Sequence, residues 1–320
     1  MLDIGIIGLG GWGRRLVESV QGKSDLVRFT AAVTGTPAKA ADFATKHGIT
    51  VGGDLDVMLA DPSVKAVVST ATVGLHAAHS LAAIKAGKPV LAVKPMAVKR
   101  ADGEALAAAA EKHGVLLALG YNRCFLPALD AARQHIADGD LGLLLHIEGN
   151  FCVDRYGKLK EGSWKTDASQ VIPGALADHM LYTSIELMGP VAEVHVQTSQ
   201  RAISVPIADT TGVLLRFASG ASGLLTAMGA TADYERLTIF GTKGWAEIRD
   251  MSHFEFQPIS GDRRMTDFPD FDAERAELEA FANAVTGTQP FAVPVAEAVN
   301  GVAAIEAMGI SAASGKPVIL

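Results

Sequence analysis

The chain has 320 residues, with 28 Lys and Arg against 35 Asp and Glu, and a net charge of −7 at pH 7. Such a length accommodates two domains of ordinary size, and an acidic balance with no dense Lys/Arg cluster argues against a nucleic-acid or anionic-membrane surface. Cys124 and Cys152 form neither a Cys-x-x-Cys pair nor a disulfide framework, and no secretion leader and no apolar run of about 18 residues is evident, so a cytoplasmic chain without a membrane-spanning helix is expected.

The chain begins with a strand, Asp3-Ile4-Gly5-Ile6-Ile7, that runs into Gly8, Gly10 and Gly13, and an apolar-periodic helix opens at Leu16, Val17 and Val20. A dinucleotide pyrophosphate binds almost against the backbone at such a helix N-terminus, where a Cβ would block it. Gly8 makes the tight turn, Gly10 admits the phosphates, Gly13 lets helix and strand pack closely, and Gly11 and Trp12 complete the turn. Beyond it the sequence predicts a strand at 29–33, helices at 37–47 and 54–60, a strand at 64–70, a helix at 76–86, a strand at 90–93, a helix at 101–113 and a strand at 115–119. This alternation predicts an α/β domain over residues 1–121, a Rossmann-type doubly wound parallel sheet. Ligands of such sheets lie beyond the carboxyl ends of the strands. Those ends are Gly8, Thr34, Thr70-Ala71, Lys94 and Gly120-Tyr121.

From residue 122 the pattern changes. A helix at 126–137 precedes strands at 143–151, 191–198, 211–217, 221–228, 236–240 and 245–249, with a helix at 175–187 between the first two. Turn signals such as Ser219-Gly220 and Gly241-Thr242-Lys243-Gly244 join several of them. Residues 254–271 read as irregular, and helices at 273–285 and 295–314 close the chain. The expectation is an α+β domain over 122–320, a large, mostly antiparallel open sheet with helices on one face, serving substrate binding and oligomerisation. The other face of such a sheet needs cover, which predicts a homodimer or homotetramer through it.

The end of the second strand bears on the cofactor. An NAD enzyme usually places a carboxylate there for the ribose 2′-hydroxyl, whereas this chain reads Val33-Thr34-Gly35-Thr36-Pro37-Ala38-Lys39, with no acid before Asp42. The hydroxyls of Thr34 and Thr36 and the ammonium of Lys39 suit a 2′-phosphate, favouring NADP over NAD. His76 and His79 stand three residues apart without an evident third ligand, so no metal site is expected.

Several further segments carry a resemblance: Gly87-Lys88-Pro89-Val90-Leu91-Ala92-Val93-Lys94-Pro95, Gly120-Tyr121-Asn122-Arg123, Trp164-Lys165, Gly174-Ala175-Leu176-Ala177-Asp178, and His76 on the helix after the Thr70 strand. With the Gly8 to Gly13 turn, they make the chain resemble, over essentially its whole length, the Gfo/Idh/MocA family of NAD(P)-dependent sugar and polyol oxidoreductases. The family's Glu-Lys-Pro is here Val93-Lys94-Pro95, its Pro-Asn is Thr72-Val73, and the His four residues after its Asp is Tyr182.

The resemblance implies hydride transfer between nicotinamide and a hydroxyl or keto carbon of a sugar, polyol or related cyclic compound. It implies Lys94, Asp178 and Tyr182 as catalytic residues, with Thr70, Ala71, His76, Lys94, Pro95 and Arg123 at the cofactor. His179 and Trp164 are candidates at the substrate, although a buried structural role suits Trp164 equally. An ammonium at Lys94 can stabilise developing alkoxide charge. Asp178 and Tyr182 stand four residues apart on one helix face, and His179 points about 100° away, making Tyr182 the expected proton carrier and His179 its rival. Two other classes fit the same fold: a dinucleotide-binding regulatory protein without turnover, and a hydrolase or lyase that oxidises its substrate transiently with a bound cofactor.

Overall fold

The computed structural model describes residues 1–159 and 176–320. The chain opens with β1 (Leu2–Ile7), α1 (Gly11–Val20), β2 (Val27–Val33), α2 (Pro37–His47), β3 (Thr50–Gly52), α3 (Leu55–Ala60), β4 (Ala66–Ser69), α4 (Val73–Lys85), β5 (Val90–Val93), α5 (Arg100–His113) and β6 (Leu117–Gly120). The strands form one parallel sheet in the order β3-β2-β1-β4-β5-β6. Every residue of β4, β5 and β6 is buried, which is why these strands read as continuous apolar runs rather than alternating ones: helices cover both faces. The short β3 is an addition to the expected strands, because three residues carry no readable period. Gly48 (φ 67°) and Gly114 (φ 63°) end α2 and α5 in the left-handed region, where glycine is unstrained.

The chain continues through α6 (Pro127–Ala137), β7 (Leu144–Asp154), α7 (Asp178–Met188), β8 (Val191–Ser199), β9 (Thr210–Phe217), β10 (Ser222–Met228), β11 (Ala230–Gly241), β12 (Gly244–Arg249), β13 (His253–Pro258), β14 (Arg264–Asp267), α8 (Ala273–Val285), α9 (Val295–Ser314) and β15 (Val318–Ile319). Among the described residues nine strands make the second sheet, in the order β14-β13-β12-β11-β7-β10-β9-β8-β15. It is antiparallel except where β7 and β10 run parallel. Helix α7 lies against β7 so closely that a Cβ on Gly149 would stand 2.8 Å from Met180 Cβ. The stretch 254–271, expected to be irregular, contains β13 and β14. Phe254 and Phe256 are buried beneath the His135 ring of α6, and the alternation is short because Pro258 and Gly261 follow at once.

The sheet's other face is mixed rather than apolar. Arg236 bonds Glu148 at 3.0 Å and Asn150 at 3.1 Å, Thr238 donates to Glu247 at 2.9 Å, and Arg263 pairs with Glu255 at 2.8 Å. Leu214 and Met265 stand exposed among them.

Two compact units divide the chain: Met1–Asn122 with Asp272–Val299, and Arg123–Phe271 with Asn300–Leu320. The first therefore takes in α8 as well as the residues before 122. Leu278, Phe281 and Ala282 of α8 belong to the core formed by Ile4, Leu16, Val17 and Phe29, a long-range packing that no local period announces. Helix α9, with 20 residues and a hydropathy of 1.2, is long and apolar enough to cross a bilayer by length and composition alone. This corrects the expectation of no such segment: Glu297, Asn300 and Glu306 interrupt the run without lowering its average enough. Half of that window is buried within the protein, Val302, Ala304, Ile305 and Met308 among it.

Candidate active site

In the first unit the turn after β1 lies where the strand order reverses, between β1 and β4, the position at which open α/β sheets bind ligands. Gly8 has φ +99°, and a Cβ there would meet Thr70 O at 2.9 Å. A Cβ on Gly13 would collide with the Gly8 carbonyl and stand 2.8 Å from Thr70 Oγ1. Thr70 fixes the junction, its N–H donating to Ile7 O at 2.8 Å and its hydroxyl to Gly8 O at 2.6 Å. Above Gly10 and Gly11, by contrast, a Cβ would meet nothing within 4 Å. Gly10 caps α1 in extended conformation without a side-chain bond, and the first turn of α1 carries no acid. A cradle open to an anion and lined by backbone fits the pyrophosphate of a dinucleotide. Trp12 is exposed at its rim, with the Arg15 guanidinium 5.6 Å from its ring centroid.

At the end of β2, Thr34 donates its backbone N–H to Gly52 O at 3.1 Å. Thr36 and Lys39 are exposed at the start of α2, whose first turn is also free of acids. Arg14, which sequence reasoning did not single out, joins them. Its guanidinium donates to Leu9 O at 3.2 Å and to Lys39 O at 3.0 Å, and lies 5.0 Å over the Phe43 ring. The signal was present only as a basic residue directly after the third glycine.

Past β4 and β5, His76 ties two strand-end loops together. Its Nδ1 lies 2.8 Å from Pro95 O and its Nε2 lies 2.7 Å from Ala71 O. A neutral ring can donate to only one of them at a time, and burial pulls the pKa down while the carbonyls pull it back. His76 is 1% exposed, so its polar atoms are committed to backbone. Lys94 is half-buried at the end of β5, with its N–H donating to Gly120 O at 2.9 Å, and Pro95 and Ala71 flank the same strand ends.

The second unit holds the other candidates. Asp178 opens α7, and Tyr182 follows one turn later; each is 4% exposed. The Tyr182 ring packs on the backbone of α9 at Gly301, where a Cβ would collide with Cε1 and stand 3.0 Å from Cζ. Tyr156, just after β7, is a residue the sequence did not announce. Burial and then the Asp178 carboxylate push its phenol up to about 12, so it is protonated at every physiological pH. Its backbone N–H donates to Gly229 O at 2.7 Å.

Arg123 and His179 are brought together. Arg123 grips Glu235 with two bonds of 2.8 Å, and its Nη1 donates to His179 Nδ1 at 3.0 Å. Phe151 supports both: the His179 ring stacks on it at 4.2 Å and 16°, and the guanidinium lies 5.1 Å over it. Glu235 is the cross-strand partner of Phe151. Trp164 lies outside the described residues. Among the described residues no group of three His, Cys, Asp or Glu side chains gathers as metal ligands.

The fold and these two constellations define a Rossmann-type nucleotide-binding unit joined to a unit built on a large open sheet. Residues 2–121 match the oxidoreductase family with an NAD-binding Rossmann fold, and residues 129–247 match the GFO/IDH/MocA C-terminal domain. The chain belongs to the Gfo/Idh/MocA family of oxidoreductases. It is similar to trans-1,2-dihydrobenzene-1,2-diol dehydrogenase of Sus scrofa, 27% identical over 214 residues, which is 67% of this chain and 63% of the relative. It is also similar to inositol 2-dehydrogenase of Burkholderia lata, 31% identical over 234 residues, 68% of this chain and 65% of that one. The match thus spans just under two thirds of either relative. Levoglucosan dehydrogenase in complex with NADH and levoglucosan shares the fold at TM-score 0.89 and 20% identity, over all of this chain and 99% of its own.

Proposed function

We propose that the protein is an NAD(P)-dependent dehydrogenase or reductase acting on a hydroxyl or keto carbon of a sugar, polyol or cyclic diol. The observation that carries this is the backbone cradle: Gly8 and Gly13 are demanded by contacts with the chain itself, while Gly10 and Gly11 leave open space where an anion fits. When bound, the nicotinamide accepts or supplies the hydride. Lys94 supplies a cationic hydrogen-bond donor to the reacting oxygen, Asp178 holds the local charge, and Tyr182 carries the proton. The diol, inositol and levoglucosan activities of the three relatives support this substrate class.

NADP is the proposed cofactor. Support comes from the acid-free end of β2, with Thr34, Thr36 and Lys39 there, and from the Arg14 guanidinium at the Lys39 carbonyl. Self-association through the outer face of the nine-stranded sheet is proposed as well. The exposed Leu214 and Met265, set among the Arg236 and Glu255 ion pairs, give that face both apolar contact and registering charge. Light scattering giving a monomer at micromolar concentration would remove that proposal.

The test of the activity is absorbance at 340 nm with NADP and, separately, NAD, against a panel of monosaccharides, polyols, cyclic diols and their keto forms. A change with one of these substrates is expected. Binding of neither dinucleotide would overturn the reading.

A further inference from the structure

We infer that Arg15 and Glu274 are positioning residues that hold the Trp12 indole at the rim of the backbone cradle, as an aromatic platform for the nicotinamide half of the dinucleotide; the ligand half of this rests on the proposed function. Trp12 and Arg15 stand three residues apart on α1, which makes them neighbours on the helix surface. The Arg15 guanidinium lies 5.6 Å over the indole centroid, within the range at which a cation is drawn to an aromatic face. One face of the ring is thereby backed, yet Trp12 keeps 40% of its surface exposed. It stands beside Gly10 and Gly11, above which a Cβ would meet nothing within 4 Å. A large aromatic face left open next to such space suits a flat partner.

Arg15 is itself exposed, and an ion pair with another exposed side chain would fix it little. Its partner is different. Glu274 is 5% exposed on α8, and its Oε1 accepts from Arg15 Nε at 2.7 Å and from Asn122 Nδ2 at 3.3 Å. An uncompensated charge is costly in such a place, and Glu277, buried one turn further along α8, adds a second carboxyl there. Glu274 therefore keeps the guanidinium. Helix α8 is in turn fixed against α1. Asp272 caps it by accepting from the Arg275 N–H at 2.9 Å, Arg275 Nε donates to Ser19 O at 3.1 Å, and Leu278 and Phe281 share a core with Leu16 and Val17. Arg15 and Ser19 stand four residues apart, so one face of α1 receives both contacts.

The two arginines after the third glycine point to opposite halves of the ligand. Arg14 reaches α2, at the Lys39 carbonyl and the Phe43 ring, on the β2 side where the adenosine ribose of a dinucleotide is read. Arg15 reaches Glu274 and through it Asn122, which follows β6 at the other edge of the sheet. The strand order reverses between β1 and β4, so the half beyond the pyrophosphate belongs to the side of β4 to β6. Trp12 goes with that half. Its N–H is among the first four of α1, which have no partner within the helix. The residue that offers a donor to the pyrophosphate thus carries the ring that flanks the next group. An indole oriented beforehand loses no rotamer freedom on binding, and that orientation is what Arg15 and Glu274 contribute.

The experiment joins ¹⁹F spectra of the full chain labelled with fluorotryptophan, the Trp12 signal assigned by its loss in Trp12→Phe, to calorimetric titrations with NADP, NAD and 2′-phospho-ADP-ribose, which lacks the nicotinamide. Without ligand, Arg15→Met and Glu274→Gln should each move and sharpen the Trp12 signal as the ring gains freedom, and Arg15→Lys should leave it near its wild-type place. Trp12→Leu and Arg15→Met should weaken NADP and NAD alike by about three- to ten-fold, and Glu274→Gln by roughly two-fold. All three variants should bind 2′-phospho-ADP-ribose nearly as the wild type does. A Trp12 signal unmoved in Arg15→Met and in Glu274→Gln overturns the positioning role. Full dinucleotide affinity in Trp12→Leu overturns the platform. Equal loss of NADP and of 2′-phospho-ADP-ribose in Arg15→Met would mean that the guanidinium serves the pyrophosphate itself, which also overturns the inference. A wild type that binds neither dinucleotide refutes the proposed function, and the ligand-free spectra then still decide whether Arg15 and Glu274 hold the indole.

Discussion

The two units hold their candidate residues by different means. In the first, the cradle is backbone, set by four glycines within six residues and by Thr70 at the adjoining strand end. In the second, Arg123, Phe151, His179 and Glu235 arrive from four separate segments, and each is placed by another side chain. The difference teaches where tolerance lies. A backbone cradle should fail by steric intrusion at single positions, whereas a side-chain cluster should fail by loss of orientation, with graded effects on kinetics.

The largest expected effect tests the chemistry of the second unit. Tyr182→Phe removes only the hydroxyl and keeps the ring on Gly301, so kcat should fall by roughly 10² with little change in dinucleotide affinity. Near-wild-type kcat would show that Tyr182 is a core aromatic, wedged against α9, and nothing more.

The next contrast separates two glycines that look alike in sequence. Gly13→Ala meets the Gly8 carbonyl and Thr70 Oγ1, so it should lower Tm as well as dinucleotide affinity. Gly10→Ala meets no protein atom within 4 Å, so Tm should stay within about 2 °C of wild type while dinucleotide affinity drops roughly ten-fold or more. Equal loss of Tm in the two variants would mean that Gly10 also serves the fold, and the room above it would then need another explanation.

A smaller effect is expected at the 2′-phosphate. Lys39→Ala and Arg14→Ala should each weaken NADP binding by about ten-fold and leave NAD binding nearly as it was. Thr34→Asp should reverse the preference, since a carboxylate repels the phosphate and accepts from a ribose hydroxyl. Calorimetric titration with both dinucleotides reads all three, and a wild type that prefers NAD would end this assignment.

The same contrast explains what could be read before any coordinates. The parallel sheet was legible because burial on both faces leaves uninterrupted runs such as Ala66-Val67-Val68-Ser69, and the turn because Gly8, Gly10 and Gly13 have local mechanical reasons. The meander of the second sheet was legible from its turns, but β13 and β14 were not, because Pro258 and Gly261 break the pattern between two short strands. Tyr156 and Glu235 carry no motif of their own; they matter only through Asp178, Arg123 and His179, which lie tens of residues away. Helix α8 was visible as a helix, yet its membership of the first unit is fixed by Leu278 and Phe281 packing on the core of Ile4 and Phe29.

That returning helix brings the smallest of the expected effects, and the one that asks whether the backbone-built unit has a side-chain weakness of its own. Glu277 is 1% exposed, and its Oε1 has no hydrogen-bond partner among the described residues. One turn earlier, Glu274 is held by Arg15 at 2.7 Å and accepts from Asn122 at 3.3 Å. Burial first, and the Glu274 charge second, raise the Glu277 pKa well above the ordinary carboxyl value of 4.5. In the unfolded chain the group ionises near that ordinary value, while in the folded chain it keeps its proton to higher pH. Between those two values the native state binds one proton more than the unfolded state, so stability falls as pH rises. Glu277→Gln preserves the shape and has no proton to lose. It should therefore raise Tm at pH 8, by roughly 2–4 °C for each kcal/mol of the removed penalty, and change it little near pH 4.5, where the folded carboxyl keeps its proton and the unfolded one is only about half ionised, so that almost no penalty remains. Thermal melts of wild type and variant at the two pH values decide the matter. An equal shift at both would trace the effect to packing of the amide, and a lower Tm at pH 8 would mean that the carboxylate finds a partner after all.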